Sequence, residues 1–324
     1  MNHHSLSEIR SAVTLLCTGI LLTSPLDAAS TMRGTWFWGS ASSPWGSTNV
    51  VGDAGKEALV RTNFVENGIS HVYGSYGNRP VTEQATIAAW NTSLDSLGIT
   101  NDLLLSENSW LDPANHSSMT SKIQSRLLDY NAAVAVSARF KGVHLDIEPQ
   151  ALAAWGTATP TEKRDYLLQL RDTYDAARDY LDANDGTDIT LAADLPVWFD
   201  SSASIAWDPG ERDTWFSEVS TTLDGISLMP FDRDTFSSID SGVSWELDNI
   251  TGADVRVGLE VDIPGTWADM AEFYAMADEI ETAYGEEVGI DIQSYAKFAA
   301  ETVPEPTSTL YGLAGALLIW RRRV

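Results

Sequence analysis

The chain has 324 residues and a net charge of −26 at pH 7, because 46 aspartates and glutamates outnumber 20 lysines and arginines. A surface this acidic repels nucleic acid and anionic membranes, and no nucleic-acid partner is expected. The one cysteine, Cys17, lies within the first 30 residues. A body without that segment has no disulfide, no thiolate metal site and no cysteine nucleophile.

Residues 1–30 are typical of a secretory signal peptide. A polar start that contains Arg10 precedes an apolar run and then small residues, and cleavage is expected near Ala29 or Ser30. A permanent membrane helix needs about 20 apolar residues, more than this run supplies. We therefore expect an exported protein whose body is residues 31–302, a length that suits one large domain or two small ones.

Eight short apolar segments of the body predict β-strands. In chain order they are residues 34–39, 69–76, 101–107, 141–148, 188–195, 224–231, 255–262 and 289–296. The stretches between them have helical spacing. One of them begins with a capping box, Thr159 with Glu162, and has Pro160 at its first helical position.

Eight strand-then-helix units in this length predict an α/β fold, a single-domain (β/α)₈ TIM barrel. A doubly wound sheet would more often begin with a glycine-rich phosphate loop, which the sequence lacks. The space after the eighth strand allows only a short last helix.

The fourth predicted strand, "KGVHLDIEP", alternates apolar and titratable residues. In a barrel strand, one set of alternate side chains faces the helices and the other faces the lumen. Val143, Leu145 and Ile147 are expected to face the helices, which leaves His144, Asp146 and Glu148 inside. Glu148 is then highest, at the C-terminal mouth where barrel active sites lie. Unpaired interior carboxylates are costly, so the trio predicts either a catalytic site or a hydrogen-bond network between strands.

Other strand ends contribute further acids and aromatic rings to the predicted mouth. These candidate substrate-binding residues are Trp36, Trp38, Tyr73, Tyr76, His144, Asp194, Trp198, Met229, Phe231, Asp232, Asp262 and Tyr295. Acids beside aromatic rings fit glycoside hydrolysis, which needs a protonated carboxyl at the leaving oxygen and an opposing nucleophile or base. The charge of Asp146 would raise the proton affinity of Glu148. His144 is expected to bond Asp146, and no metal-ligand spacing or cofactor motif is present.

Two motifs resemble those of glycoside hydrolase family 18, the chitinase-type barrels. "GVHLDIEP" resembles the pattern Asp-Gly-x-Asp-x-Asp-x-Glu, with Lys141 and His144 in place of the first two acids. "LMPFD" resembles Met-x-Tyr-Asp, with Phe231 in place of the tyrosine. The resemblance implies that Glu148 is the general acid and Asp146 its partner. In that family the N-acetyl group of the substrate is the nucleophile and the tyrosine steadies it, a hydroxyl that Phe231 lacks.

Three alternatives remain open, one of which is a structural matrix component with a vestigial pocket. In a retaining barrel of the cellulase-like clan, Glu148 before Pro149 would be the acid/base and Glu260 on the seventh strand the nucleophile. In a protein of a different class, a lectin-like barrel, the same mouth would bind an extracellular polysaccharide without cleaving it. The sequence favours a glycosidase that acts on a polysaccharide or oligosaccharide, with Glu148, Asp146 and Glu260 as candidate catalytic residues.

Residues 303–324 have three parts: Val303-Pro304-Glu305-Pro306, a short apolar segment at 310–320, and three arginines at 321–323. This order resembles the PEP-CTERM sorting signal of Gram-negative bacteria. The resemblance implies processing by signal peptidase and an exosortase, transient anchoring in the inner membrane, and release to the cell surface or extracellular matrix. A plain membrane anchor is the alternative for this tail.

Overall fold

A computed structural model describes residues 33–201, 203–285 and 288–303. Eight parallel strands pair in sequence order, and the last pairs with the first, so the sheet closes into a barrel. The strands are β1 (Arg33–Phe37), β2 (Ile69–Gly74), β3 (Thr100–Ser106), β4 (Gly142–Asp146), β5 (Thr190–Pro196), β6 (Gly225–Met229), β7 (Asp254–Glu260) and β8 (Ile290–Gln293). The predicted (β/α)₈ fold in a single domain is confirmed.

Helices connect the strands on the outside of the barrel. They are α1 (Ser47–Val50), α2 (Ala54–Glu66), α3 (Arg79–Thr82), α4 (Gln84–Asp95), α5 (His116–Ile123), α6 (Asp129–Ala133), α7 (Pro160–Ala183), α8 (Glu211–Thr222), α9 (Phe236–Asn249), α10 (Met270–Tyr284) and α11 (Tyr295–Thr302). A π-helical turn, Gln124–Leu128, joins α5 to α6, and short 3-10 turns occupy Asn108–Leu111, Pro113–Asn115, Val136–Ala138, Pro149–Ala151 and Trp155–Thr157. The short last helix, α11, agrees with the prediction.

The longest helix begins where its sequence predicts. The Thr159 hydroxyl accepts a hydrogen bond from the Glu162 backbone N–H, and the Glu162 carboxylate accepts one from the Thr159 backbone N–H at 2.7 Å. This reciprocal cap satisfies two donors that a helix start otherwise leaves unpaired. It fixes the point at which the chain leaves the loop after β4 and enters α7.

The main hydrophobic core lies between the strands and the helices. Val143, Leu145 and Ile147 belong to it and are at most 1% exposed. A much smaller apolar cluster, Trp36, Tyr73 and Leu104, lies apart from it. The β4 side chains that alternate with Val143, Leu145 and Ile147 therefore lie in the lumen, because successive side chains of a barrel strand face opposite sides of the sheet.

The lumen also contains paired charges. The Asp291 carboxylate accepts hydrogen bonds from Arg256 Nε at 2.9 Å, from the Tyr73 hydroxyl at 3.0 Å and from the Ser227 hydroxyl at 2.5 Å. A Cβ at Gly34 would lie 2.1 Å from Asp291 Oδ1, so only glycine leaves space for this cluster. Charges buried this deeply are tolerated because each has a partner.

Residues 1–32 and 304–324 lie outside the described part of the chain. They include the predicted signal peptide and all but the first residue of the predicted sorting tail. Among the helices within the described ranges, none combines the length and the apolar composition needed to cross a membrane.

Candidate active site

Glu148 lies at the C-terminal end of β4, at the mouth of the barrel. The strand ends at Asp146, and Glu148 caps the 3-10 turn Pro149–Ala151 with an extended backbone conformation. Its backbone N–H donates a hydrogen bond to the Asn108 side-chain oxygen at 2.8 Å, which ties this turn to the loop after β3. The Glu148 backbone is therefore held both by its own strand, β4, and by the loop that follows β3.

The Glu148 side chain lines a pocket of about 430 Å³ at the C-terminal ends of β4, β5 and β6. The other lining residues are Gln150, Pro196, Val197, Trp198, Met229, Phe231, Asp232 and Arg233. This volume lies within the usual range for pockets that hold small molecules, about 300–1,000 Å³. Among the predicted residues, the structure thus brings Glu148, Trp198, Met229, Phe231 and Asp232 together.

Asp146 lies one inward position below Glu148 and is 7% exposed. Its Oδ1 atom has no hydrogen-bond partner among the described residues. Burial, and then the charges of Asp194 and Glu148, raise the pKa of Asp146 to about 8. Burial, followed by the charge of Asp194, also raises the pKa of Glu148. Both carboxyls therefore hold protons more tightly than exposed acids do.

His144 bonds Asp194 and not Asp146, which corrects the prediction from the sequence. His144 Nε2 lies 2.7 Å from Asp194 Oδ1, and the Trp36 indole N–H donates to Asp194 Oδ2 at 3.1 Å. Same-face residues along one strand are about 6.6 Å apart, whereas adjacent strands are about 4.8 Å apart. The acid on the next strand is therefore within closer reach of the imidazole than the acid two residues along.

The predicted aromatic residues of β1 and β2 form the floor of the mouth. Trp36 and Tyr73 are each 1% exposed, and their ring centroids are 5.6 Å apart. Trp38 and Phe231 are partly buried against them, with the Phe231 ring 6.2 Å from that of Trp36. Trp36 and Tyr73 are thus packed lumen residues and do not present open faces to a ligand.

Trp198 and Phe231 are predicted aromatic residues that line the pocket, and Trp198 is the one that packs outside the Trp36 cluster. It is partly buried and lines the same cavity as Glu148. Its ring centroid lies 5.6 Å from that of Trp155 and 4.9 Å from that of Phe199. These contacts hold the indole in one wall of the pocket.

Two predicted mouth residues lie elsewhere, in the main core. The Tyr76 hydroxyl donates to Asn101 Oδ1 at 3.1 Å and the Tyr295 hydroxyl donates to Asn63 Oδ1 at 3.1 Å. Neither ring is more than 3% exposed. β2 ends at Gly74 and β8 at Gln293, so both tyrosines come after their strands and the strand alternation does not apply to them. Placing them at the mouth was wrong.

Glu260 and Asp262 are not among the residues that line the Glu148 pocket. Glu260 Oε1 accepts a hydrogen bond from Lys297 Nζ of α11 at 2.5 Å. Asp262, beyond the end of β7, lines a separate cavity of about 220 Å³ that also includes Lys297. Glu260 is therefore ion-paired with Lys297 at the end of β7 and lies outside the lining of the Glu148 pocket.

Gln150, Arg233 and Asn108 are pocket or supporting residues that the sequence analysis missed. Gln150 comes two residues after Glu148 in the turn that follows β4, and Arg233 comes directly after Asp232 in the turn that follows β6. The backbone of Asp232 is in the left-handed region, with φ 66°, and this turn redirects the chain at the pocket rim. A search for polar residues in the first turn after each strand would have found all three.

Several solved structures have a similar fold. A GH18 chitinase from Pseudoalteromonas aurantia has a TM-score of 0.52 at 11% identity, with 84% of this chain and 96% of that chain covered. A chitinase from Bacteroides thetaiotaomicron has a TM-score of 0.52 at 12% identity, with 82% and 90% covered. The spore cortex-lytic enzyme SleL from Bacillus megaterium has a TM-score of 0.51 at 9% identity, with 82% and 70% covered.

No protein-family model matches the sequence, and no curated protein sequence matches it either. At identities of 9–12% the structural likeness establishes the fold alone. The chain is a (β/α)₈ barrel similar in fold to chitinases of glycoside hydrolase family 18.

Proposed function

We propose that this protein is an exported, family 18-like glycoside hydrolase that acts on a polysaccharide, with Glu148 as its general acid. One observation carries the proposal: the Glu148 carboxyl lines a pocket at the C-terminal face of the barrel, above the buried carboxyl of Asp146. Active sites of (β/α)₈ enzymes lie at this face. The similar barrels include two chitinases, which supports the same reaction class.

The protonation of Glu148 suits the first step of glycoside cleavage. A general acid must keep its proton until the leaving oxygen takes it, and the raised pKa of Glu148 keeps that proton in place nearer to neutral pH. Asp146 lies below it as a second buried carboxyl, and the charge of Asp194 opposes the ionisation of both carboxyls. Trp198 in the pocket wall offers an indole face to the sugar.

The second role in the reaction is attack on the anomeric carbon from the opposite side. Asp232 is the other carboxylate among the described residues that line the pocket, and we assign it the role of the base that activates water. A substrate with an N-acetyl group would supply its own nucleophile, as the family resemblance implies. Phe231 packs on Trp36 where that family has a tyrosine, so no hydroxyl from this position assists.

The proposal is tested by incubating the purified protein with chitin-type and neutral polysaccharides and measuring the release of reducing ends. Glu148→Gln keeps the shape of the side chain but cannot donate a proton as the acid does, so we expect a loss of about 10²–10⁴-fold. Glu107→Gln is the matched control, because Glu107 lies just after β3 and pairs with Lys122 outside the pocket. Equal cleavage by wild type and Glu148→Gln would remove Glu148 from the mechanism.

A lectin-like barrel is the second candidate, and the closed floor of the mouth favours it. Trp36 is 1% exposed and Asp146 7%, which leaves little of the floor open to a sugar ring. The same experiment separates the two functions when binding to each polysaccharide is measured as well. Binding that is lost in Trp198→Ala, with no cleavage by wild type, would identify the lectin.

Export is a separate part of the proposal. Its support is the signal-like sequence of residues 1–30 and the tripartite sequence of residues 303–324. Signal peptidase and an exosortase are the proposed partners, and the cell surface or extracellular matrix is the proposed destination. The intact mass of the protein recovered from a Gram-negative host would test this, because processing at both ends removes a mass that the sequence specifies.

A further inference from the structure

A buried pair, His144 with Asp194, lies next to the carboxyls of the mouth. His144 is 0% exposed and Asp194 2%. Each oxygen of Asp194 accepts one hydrogen bond, Oδ1 from His144 on β4 and Oδ2 from Trp36 on β1. Asp194 is therefore held by two strands besides its own and has a fixed position.

The strand register places Asp194 beside Asp146. Leu145 on β4 pairs with Ala193 on β5, so the next residues in line on the two strands are Asp146 and Asp194. Two carboxylates on adjacent strands repel each other when both are ionised. Asp194 accepts hydrogen bonds from two donors, whereas Asp146 has one side-chain partner, Ser106, and its Oδ1 atom has none among the described residues. The negative charge is therefore more stable on Asp194, and the proton on Asp146.

Other charged and titratable groups face this pair from several elements. They are Asp146 and Glu148 above it, Tyr174 from α7 behind it, and Asp102 on β3 and Asp291 on β8, with the Arg256 partner of Asp291, around it. Of these, Asp291 is neutralised by its ion pair with Arg256, and His144 offsets part of the charge of Asp194, but the effect of Asp194 on Asp146 is larger than that of His144. Asp194 remains as the fixed charge closest in register to the carboxyls of the mouth.

We propose that Asp194, held by His144 and Trp36, is a positioning residue for the general acid: its charge keeps Asp146 and, above it, Glu148 protonated between turnovers. This inference rests on the proposed role of Glu148. The inference also gives a role to the histidine at position 144, where the family 18 motif has an acid. Its imidazole binds Asp194, the carboxylate on the neighbouring strand that acts on the site. Burial of the pair makes the effect strong, since little solvent screens it.

A second pair in the lumen provides a matched control. His71 Nε2 lies 2.7 Å from Asp102 Oδ2, with the same chemistry as the His144–Asp194 pair. Asp102 lies on β3, where the register pairs Ser106 with Asp146, so Asp102 is four residues away from the level of the mouth. Asp102→Asn therefore removes a comparable buried charge at a distance from Glu148.

The direct test measures the titration of Glu148 by ¹³C NMR of labelled carboxyl groups in the full-length protein, assigned with Glu148→Gln. We expect Asp194→Asn to lower the midpoint for Glu148 by about one pH unit, and Asp102→Asn to leave it in place. Proton donation requires the protonated form, so the fall of kcat/KM at high pH should move to lower pH by the same amount in Asp194→Asn. A purely structural role would lower the melting temperature without moving either midpoint, and that result would overturn the proposal.

His144→Gln keeps the test decisive if Asp194→Asn does not fold. Glutamine can still donate to Asp194 but carries no charge, so the buried carboxylate is expected to take up a proton and lose its influence. The Glu148 midpoint should fall in this variant too, and an unchanged midpoint in folded His144→Gln would contradict the inference. Because the NMR titration needs no turnover, it distinguishes this inference from the proposed function. A shifted midpoint in a protein that cleaves nothing would reject the enzyme and keep the electrostatic coupling.

Discussion

Asp146→Asn should make the folded protein more stable at neutral pH. Asp146 is 7% exposed, and its pKa rises from 3.8 to about 8 on folding. A carboxyl with a raised pKa in the folded state contributes its full stability below the pKa of the unfolded chain, and loses it as the pH rises toward the folded value. Wild type should therefore lose stability between about pH 4 and pH 8 because of this residue, and the asparagine variant should not.

The size of the gain follows from the two pKa values. A pH of 7 is about three units above the pKa of this carboxyl in the unfolded chain, whereas in the folded protein the carboxyl is still largely protonated. Each pH unit corresponds to about 1.4 kcal/mol. The upper bound is thus about 4 kcal/mol. Part of the repulsion is relieved when Glu148 or Asp194 takes up a proton instead, so we expect a gain of about 2–3 kcal/mol in the free energy of unfolding.

Urea denaturation of both proteins at several pH values between 4 and 7 measures this gain. The difference between Asp146→Asn and wild type should be largest at pH 7 and shrink toward zero near pH 4. Asp232→Asn, at an exposed position on the pocket rim, serves as the control and should differ from wild type by less than about 0.5 kcal/mol throughout. A destabilised Asp146→Asn at pH 7, or a gain independent of pH, would refute the assignment of Asp146 as a protonated interior acid.

Three further predictions concern packing and charge, all measured as free energies of unfolding in urea. Gly258→Ala would place a methyl group 2.8 Å from the Leu228 carbonyl oxygen, and we expect a loss of about 1–3 kcal/mol. Asp291→Asn weakens the compensation of the buried Arg256 charge and should cost about 3 kcal/mol. Tyr295→Phe removes one buried hydrogen bond, so stability should fall by about 0.5–1.5 kcal/mol while polysaccharide binding stays unchanged.

Two of these predictions have a control within the chain, and the third has an outcome that would contradict it. Gly156→Ala adds a methyl group with no atom within 4 Å, so a similar loss there would mean that crowding is not the cause. Asp278 pairs with Arg33 but is 64% exposed, and Asp278→Asn should change stability by less than about 1 kcal/mol. Weaker polysaccharide binding by Tyr295→Phe would show that this residue contributes to the site after all.

The alternation in β4 allowed the most specific part of the site to be predicted. Both faces of a barrel strand are buried, so an ordinary one is apolar throughout. His144, Asp146 and Glu148 interrupt that pattern at every second position, which identifies the inward face without knowledge of any neighbour. The capping box at Thr159 is similarly local, and both features appear in the structure where they were predicted.

The errors arise where the outcome depends on elements distant in sequence. The partner of His144 is set by the stagger between β4 and β5, and the partner of Glu260 is a lysine 37 residues later. Tyr76 and Tyr295 were misplaced because strand ends are uncertain by two or so residues, and side chains beyond an end follow the direction of the loop or helix. A pattern within one segment contains no information about these contacts.

Trp198 allows ligand binding in the Glu148 pocket to be followed by tryptophan fluorescence. Trp198 lines the cavity, and its ring is 5.6 Å from that of Trp155, so the two indoles can exchange excitation energy. A sugar stacked on Trp198 displaces water from a fluorophore, and the emission spectrum moves to shorter wavelength as the pocket fills. Ligand screening on Glu148→Gln can therefore proceed without dyes or labels, and subtraction of the signal from Trp198→Phe gives the contribution of this ring together with its energy transfer to Trp155.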